Sequence, residues 1–216
     1  MCKIKIFKLL CVGILILLTP ALMAETFAYR KTIKQSVNEY SVTVSKTDNG
    51  FVYENMQEGE TYWCNNNLST RSVEIVKPGQ NSRLTFSRDN NTIRISGIRK
   101  GNSIEKDLAI DESPWYQNFT YSLTNFINSD KKKIQFWVIN PEELKSVKFS
   151  AKKKGIEKIE VNGNIVKAYY VKISIAGILS LFWSADYWYD TVNGKFIKFK
   201  GTQGPGTQES VVELIQ

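Results

Sequence analysis

The sequence predicts a mainly β fold of the α+β class: an antiparallel curved sheet, or half-open barrel, with one amphipathic helix packed on it. Three observations predict it. Apolar and polar residues alternate with a period of two through most of the chain, as in half-buried strands. Turn signals such as Asp48-Asn49-Gly50, Asp89-Asn90-Asn91 and Asn162-Gly163 recur about every dozen residues, the spacing of an antiparallel meander. One stretch near the middle switches to helical spacing.

The first 24 residues read differently. Lys3, Lys5 and Lys8 precede an unbroken apolar run from Cys11 to Leu18, followed by Pro20 and the small residues Ala21 and Ala24. This is the layout of a secretion signal. A cut after Ala24 leaves Glu25 first; a cut after Ala28 is the alternative. The run is shorter than the roughly 20 residues of a spanning helix. The expected organisation is therefore a signal peptide over 1–24 and a single antiparallel β domain over 25–216. It implies an exported protein, periplasmic or extracellular, with no transmembrane segment in the mature chain.

Charge and residue inventory exclude several classes. The full chain carries +8, but the leader holds three of the 29 basic residues and none of the 21 acidic ones, which leaves +5. The densest basic clusters, Lys131–Lys133 and Lys152–Lys154, read as solvated turns, with acidic lipid headgroups or other polyanions as the sharper alternative. An exported chain without a nucleic-acid motif is not expected to bind nucleic acid. There is no histidine, so Ser-His-Asp and Cys-His catalysis and His-ligated zinc are excluded. No metal site and no cofactor are expected. Two of the three cysteines leave with the signal, and Cys64 in Thr61-Tyr62-Trp63-Cys64 reads as a buried structural thiol.

Strands follow in series. Tyr40, Val42 and Val44 alternate before the Asp48–Gly50 turn, Leu84 and Phe86 before Asp89–Asn91, and Ile93 and Ile95 after it. At Asp111 the pattern changes. Ser113 reads as an N-cap and Pro114 as the first helical residue. Trp115, Phe119, Leu123 and Phe126 then recur at spacings of four, four and three, one face of a helix over about 114–128. Strands resume with Ile134 to Ile139 and Val147 to Ala151. The apolar stretch Ile173–Trp183 reads as a buried strand entering the core, with an apolar lip at a cavity mouth as the alternative. Trp183, Ala185, Tyr187 and Tyr189 face one way; Asp186, Trp188 and Asp190 face the other. The Gly201–Gly206 loop lacks the Gly-Lys-Ser/Thr ending of a phosphate loop.

Aromatic residues crowd the second half, and a curved sheet covered by one helix offers a concave apolar interior. The candidate ligand-binding residues are Trp115, Phe119, Leu123 and Phe126 from the helix, with Tyr170, Trp183 and Trp188 from strands. No catalytic residue is assigned. The acid pairs Asp186/Asp190 and Glu209/Glu213 are each four apart on one strand. At about 13 Å they are too distant for glycoside hydrolysis. A carboxylate-based hydrolase is therefore the least favoured function.

Trp188-Tyr189-Asp190, then Gly194-Lys195-Phe196-Ile197 and the closing Glu209–Leu214 strand, resemble DUF3108-type exported bacterial proteins, and more distantly the LolA-like superfamily of envelope lipoprotein carriers. The resemblance covers about residues 130–216. It implies a half-open antiparallel barrel, capped by helix, that holds an acyl chain or similar apolar group. The chain departs from LolA-type carriers, whose cavity several helices close, because only one helix is expected here. Apolar-ligand handling carries over and lipoprotein carriage does not. The function expected from the sequence is thus a non-catalytic envelope binding or carrier module for an apolar small molecule or lipid. A structural or interaction protein that binds another envelope protein is the alternative.

Overall fold

The computed structural model describes residues 24–202 and 207–215; residues 1–23 of the leader, residues 203–206 of the glycine-rich loop and residue 216 lie outside the described residues. Fourteen strands form one antiparallel sheet. In chain order they are β1 (Ala24–Ile33), β2 (Ser36–Thr47), β3 (Gly50–Asn55), β4 (Glu60–Cys64), β5 (Thr70–Lys77), β6 (Ser82–Asp89), β7 (Thr92–Arg99), β8 (Asn102–Ala109), β9 (Lys133–Asn140), β10 (Lys145–Val161), β11 (Asn164–Ile175), β12 (Ser184–Asp190), β13 (Phe196–Thr202) and β14 (Glu209–Leu214). Two short helical turns, α1 (Phe119–Ser122) and α2 (Thr124–Ile127), lie between β8 and β9.

The topology is two meanders joined back to back. From β1 the chain steps outward by hairpins to β8 at one edge. It then crosses to β9 at the opposite edge and steps back to β14, which pairs with β1. The sheet curls but does not close into a barrel. Local chemistry sets the hairpins. Lys34, Asn90, Lys100 and Asn162, with φ of 53, 52, 50 and 51°, open two-residue loops between the paired residues Ile33/Ser36, Asp89/Thr92, Arg99/Asn102 and Val161/Asn164. Positive φ at these positions matches the right-handed twist of the flanking strands. The Asp48–Gly50 turn is one residue earlier than its Asn-Gly pair suggests. Thr47 pairs with Gly50, so Asp48 and Asn49 form the loop. Gly50 instead answers to its neighbour: at φ 134°, a Cβ there would lie 2.0 Å from the Cys64 carbonyl oxygen.

The crossing segment corrects the expected helix over 114–128. Only residues 119–127 are helical, broken at Leu123. Asp111 Oδ1 accepts the Ser113 N–H at 2.9 Å, so Ser113 is held in a turn of its own and does not cap a helix. Pro114–Tyr116 runs along the β9 edge, with Trp115 bridging Trp137, and reaches the start of β5. Tyr116 N–H donates to the Trp137 carbonyl at 2.9 Å, Trp137 N–H to the Pro114 carbonyl at 2.8 Å, and Thr70 N–H to the Trp115 carbonyl at 2.8 Å. The Gln117 side chain imitates a peptide group. Its Oε1 accepts Ile139 N–H at 2.8 Å and its Nε2 donates to the Ile139 carbonyl at 2.8 Å. Its Oε1 also accepts Trp115 Nε1–H at 2.9 Å.

The concave face forms one continuous core running from Phe27 and Val42 through Phe86, Ile93 and Ile95 to Phe136, Ile173, Tyr187 and Val212. The alternations at Val42/Val44, Leu84/Phe86, Ile93/Ile95 and Trp183/Ala185/Tyr187/Tyr189 all place the named residues inward and buried. Two other expectations are corrected. The stretch Ile173–Trp183 is not a buried strand throughout: β11 ends at Ile175, and Gly177–Leu181 forms a 3-10 turn. Ile178, Leu181 and Phe182 are exposed. The positive φ of Gly177, 74°, ends the strand that the apolar run would have continued. The lysine clusters are not both turns either: Lys133 begins β9, and Lys152–Lys154 lie within β10, where Lys154 is the extra residue of a bulge between the paired Lys153 and Gly155.

Replacing Gln117 with Leu would leave the Ile139 peptide groups and the Trp115 indole N–H unpaired in a buried setting. A loss of about 2–4 kcal/mol in urea unfolding is expected, with Gln117→Glu, which lacks the Nε2 donor, falling in between. Asp111 accepts hydrogen bonds from Lys148 Nζ, Trp137 Nε1 and the Ser113 N–H. The Lys148 contact first, then those from Ser113 and Trp137, holds its carboxyl well below the usual carboxylate range. A depressed folded pKa stabilises above the unfolded value of about 4 and is lost as pH falls below it. Thermal melts should therefore drop below about pH 4 more steeply in the wild type than in Asp111→Asn. Burial pushes the Cys64 thiol up to about 11, so thiol reagents at neutral pH should modify it only after unfolding.

Candidate binding site

The seven residues expected from the sequence to line one cavity fall on two sides of the sheet. Trp115, Phe119, Leu123, Phe126 and Trp183 all face the concave interior, with Trp115 and Leu123 fully buried. Tyr170 and Trp188 pair across β11 and β12 on the opposite face. There the two rings stack at 5.6 Å, Tyr170 Oη donates to Asp186 Oδ1 at 2.7 Å, and Trp188 Nε1 donates to Glu157. The alternation that turns Trp183 and Tyr187 inward turns Trp188 outward.

The interior beneath the helical turns is filled with rings. Phe119 packs against Phe136, Phe149 and Tyr187 at centroid distances of 5.8, 6.2 and 5.5 Å, and Phe149 meets Trp183 at 5.3 Å. Tyr187 continues the series to Phe199 at 4.9 Å. These residues bury large apolar area against one another. They form a continuous wall of rings in contact with one another.

Open space lies beside that wall. A cleft of about 150 Å³ separates β1 and β3 from α1, α2 and the loop before β13. Phe27, Tyr29, Tyr53, Tyr121 and Phe196 supply its rings, and Thr120 and Thr124 its helical side. Tyr29 lies 5.5 Å from Phe196, and Tyr53 lies 6.0 Å from Tyr121. At the rim Lys195 pairs with Glu25, and its ammonium stands 4.8 Å from the Phe27 ring centre. Asn128 Nδ2 donates to the Asn193 carbonyl at 3.4 Å, which ties the end of α2 to the 191–195 loop. Burial raises the Tyr121 phenol to about 12 and raises Tyr29 and Tyr53 as well. The phenols are therefore neutral at any physiological pH, and the charge on the cleft lining is confined to the Glu25–Lys195 pair at its rim. Phe27 and Tyr29 alternate at the head of the domain, a signal legible in the sequence. Their meeting with Tyr121 and Phe196 depends on long-range pairing that no local pattern carries.

The acidic residues are engaged in local structure. Asp186 lies 3.9 Å from Lys172 and accepts from Tyr170. Asp190 Oδ1 accepts the N–H groups of Val192 and Asn193 at 2.7 and 3.0 Å, which shapes the loop at Asn193-Gly194. Glu213 pairs with Lys198 at 2.8 Å. Among the described residues no group of His, Cys, Asp and Glu side chains could hold a metal ion, and no helix is long and apolar enough to cross a membrane.

No protein-family model matches the sequence, and a search of curated proteins finds no match. Solved structures do align. A hypothetical lipoprotein from Escherichia coli K12 is 10% identical over 88% of this chain and 83% of its own, with a TM-score of 0.39. A LolA superfamily protein from Nitrosomonas europaea is 8% identical over 89% and 83%, with a TM-score of 0.28. Both superpositions are too loose to support a structural argument. A β-barrel-like protein of the domain-of-unknown-function family DUF1849, from Brucella abortus, is 11% identical over 90% of this chain and 97% of its own, with a TM-score of 0.51. The architecture of this chain is thus similar to that of a β-barrel-like protein.

Proposed function

We propose that the chain is a non-catalytic binding or carrier module of the cell envelope, and that its ligand is apolar and lipid-like. The observation that carries this reading is the ring-lined cleft between Tyr121 of α1 and Phe27, Tyr29, Tyr53 and Phe196 of the sheet, whose only charges are the paired Glu25 and Lys195 at the rim. Neutral aromatic walls exclude charge and reward burial of hydrocarbon at about 25 cal/mol per Å². At about 150 Å³ the cleft is smaller than sites that enclose a whole small molecule. It suits one end of a ligand, such as a ring or a short length of acyl chain. Trp115, Phe119, Leu123, Phe126 and Trp183 serve this site from behind, as the rigid packing that positions α1 and α2. The leader supports export to the periplasm, and the LolA-like resemblance of the C-terminal motifs is in keeping with apolar-ligand handling; no family model supports the DUF3108 label. The absence of histidine, and the local structural use of Asp186, Asp190 and Glu213, favour binding over catalysis.

Native mass spectrometry of the gently purified protein is expected to show a lipid-mass adduct. Thr124→Trp, which fills the cleft from its helical side, should abolish that adduct and weaken an apolar fluorescent probe at least tenfold without lowering the melting temperature. A wild-type protein that carries no adduct and binds no such probe saturably would refute the assignment.

A further inference from the structure

The register of β9, β10 and β11 creates a row of like charges. Lys133 is paired with Lys152, and Lys152 with Lys172. Residues directly opposite on antiparallel strands project from the same face with Cβ atoms about 5 Å apart, and like charges so placed repel. Lys154 brings a fourth amine to the same groove, which encloses about 340 Å³. Its remaining walls are the hydroxyls of Ser150, Ser174, Ser180 and Ser184 and the backbone of the turn after β11. No carboxylate lines it. The nearest acid along the row is Asp186, which lies 3.9 Å from Lys172, accepts from Tyr170 and has Lys200 opposite on its other side, so a single shared carboxylate at one end is set against four amines. A row of this kind works against the free protein and is relieved when an anion occupies it.

The turn that overhangs the groove supplies the second observation. Ile178, Leu181 and Phe182 are 85, 86 and 71% exposed, and the chain returns to the core only at Trp183. Three large apolar side chains standing in water within five residues mark a surface made for an apolar environment. Apolar side chains beside a cluster of amines match the two layers of an acidic membrane surface, with phosphate at the headgroups and hydrocarbon beneath.

We propose that this groove and turn dock the protein on an anionic lipid bilayer. Lys133, Lys152, Lys154 and Lys172 take the phosphate-bearing headgroups, and Ile178, Leu181 and Phe182 enter the acyl boundary. The surface shares no residue with the ring-lined cleft, so it stands whether or not that cleft holds a ligand. Neither part suffices alone: a soluble polyanion would use the lysines without the turn, and a neutral bilayer would use the turn without the lysines.

The test is flotation of the purified protein with vesicles of phosphatidylcholine, with and without phosphatidylglycerol. The protein should float with the phosphatidylglycerol vesicles and not with phosphatidylcholine alone, and added salt should weaken the association. A lysine near such a surface contributes roughly fivefold in partitioning. Lys133→Gln/Lys152→Gln/Lys172→Gln should therefore lose well over tenfold, and Lys152→Gln alone a smaller share. Because repulsion is removed, the melting temperature of both variants should hold or rise. Leu181→Ser/Phe182→Ser should weaken binding to the same vesicles while keeping its salt dependence. Equal binding to both vesicle types, or unchanged binding by the lysine variants, would overturn the proposal. So would full binding by the turn variant together with displacement by inorganic polyphosphate, an outcome that assigns the row to a soluble polyanion.

Discussion

The arrangement rests on the bridge that Pro114–Gln117 makes from the β9 edge of the sheet to the start of β5. The described strands curl far enough to bring the β8 edge near β10, yet the edge strands β8 and β9 do not pair. The crossing segment spans the concave side instead, bonded to Trp137 and Ile139 of β9 on one side and to Thr70 of β5 on the other. Gln117 does with a side chain what a further strand would do with its backbone. Arg88 reinforces the bridge by donating to the carbonyls of Asp111 and Ser113 at 3.1 and 2.9 Å. An exposed strand edge invites pairing with another chain. The β9 edge is masked here by the same segment that delivers Trp115 to the core, so edge masking and core packing are one event.

From this bridge the positions of α1 and α2 follow. Each is only four residues long, too short to persist alone. They hold because Leu123, Phe126 and Ile127 are buried against the sheet and because Lys153 Nζ donates to the Ile127 carbonyl at 2.9 Å at the end of α2. That lysine also stands 4.9 Å from the Phe126 ring centre, and its burial lowers its pKa. The outward Lys152 and Lys154 and the inward Lys153 thus differ in what they do, although the sequence presents them as one run.

How much of this was legible in the sequence depended on the range over which the information is spread. Period-two alternation located Val42/Val44, Ile93/Ile95 and Trp183–Tyr189 on the correct faces, because strand geometry acts on adjacent residues. The i, i+4 stripe beginning at Trp115 found the crossing segment and its buried residues. It misplaced the helix start because the backbone of residues 114–117 is claimed by Trp137 and Thr70, partners 20 and more residues away. The same limit explains the site. Tyr170 and Trp188 met the compositional test for a lining residue, and the alternation already set Trp188 opposite Trp183. The ring cleft joins β1, β3, α1 and the loop before β13, and no window of sequence contains all four. At Ile173–Trp183, hydrophobicity alone suggested burial, while Gly177 broke the strand and left the apolar residues outside.

The pairing of β1 with β14 has a consequence for how the molecule comes into being. Tyr29 faces Leu214, and the Ile215 amide reaches the Ala28 carbonyl at 2.8 Å. The middle of the sheet is therefore stitched by residues from opposite extremes of the polypeptide. The hairpins on either side can zip locally, but the contact that unites them carries the largest loop-closure entropy in the molecule and slows folding. A chain emerging amino end first can pair β1 with β2 at once, but holds the other side of β1 open until β14 has appeared. For that interval β1 is an unmasked strand edge, open to a mismatched partner.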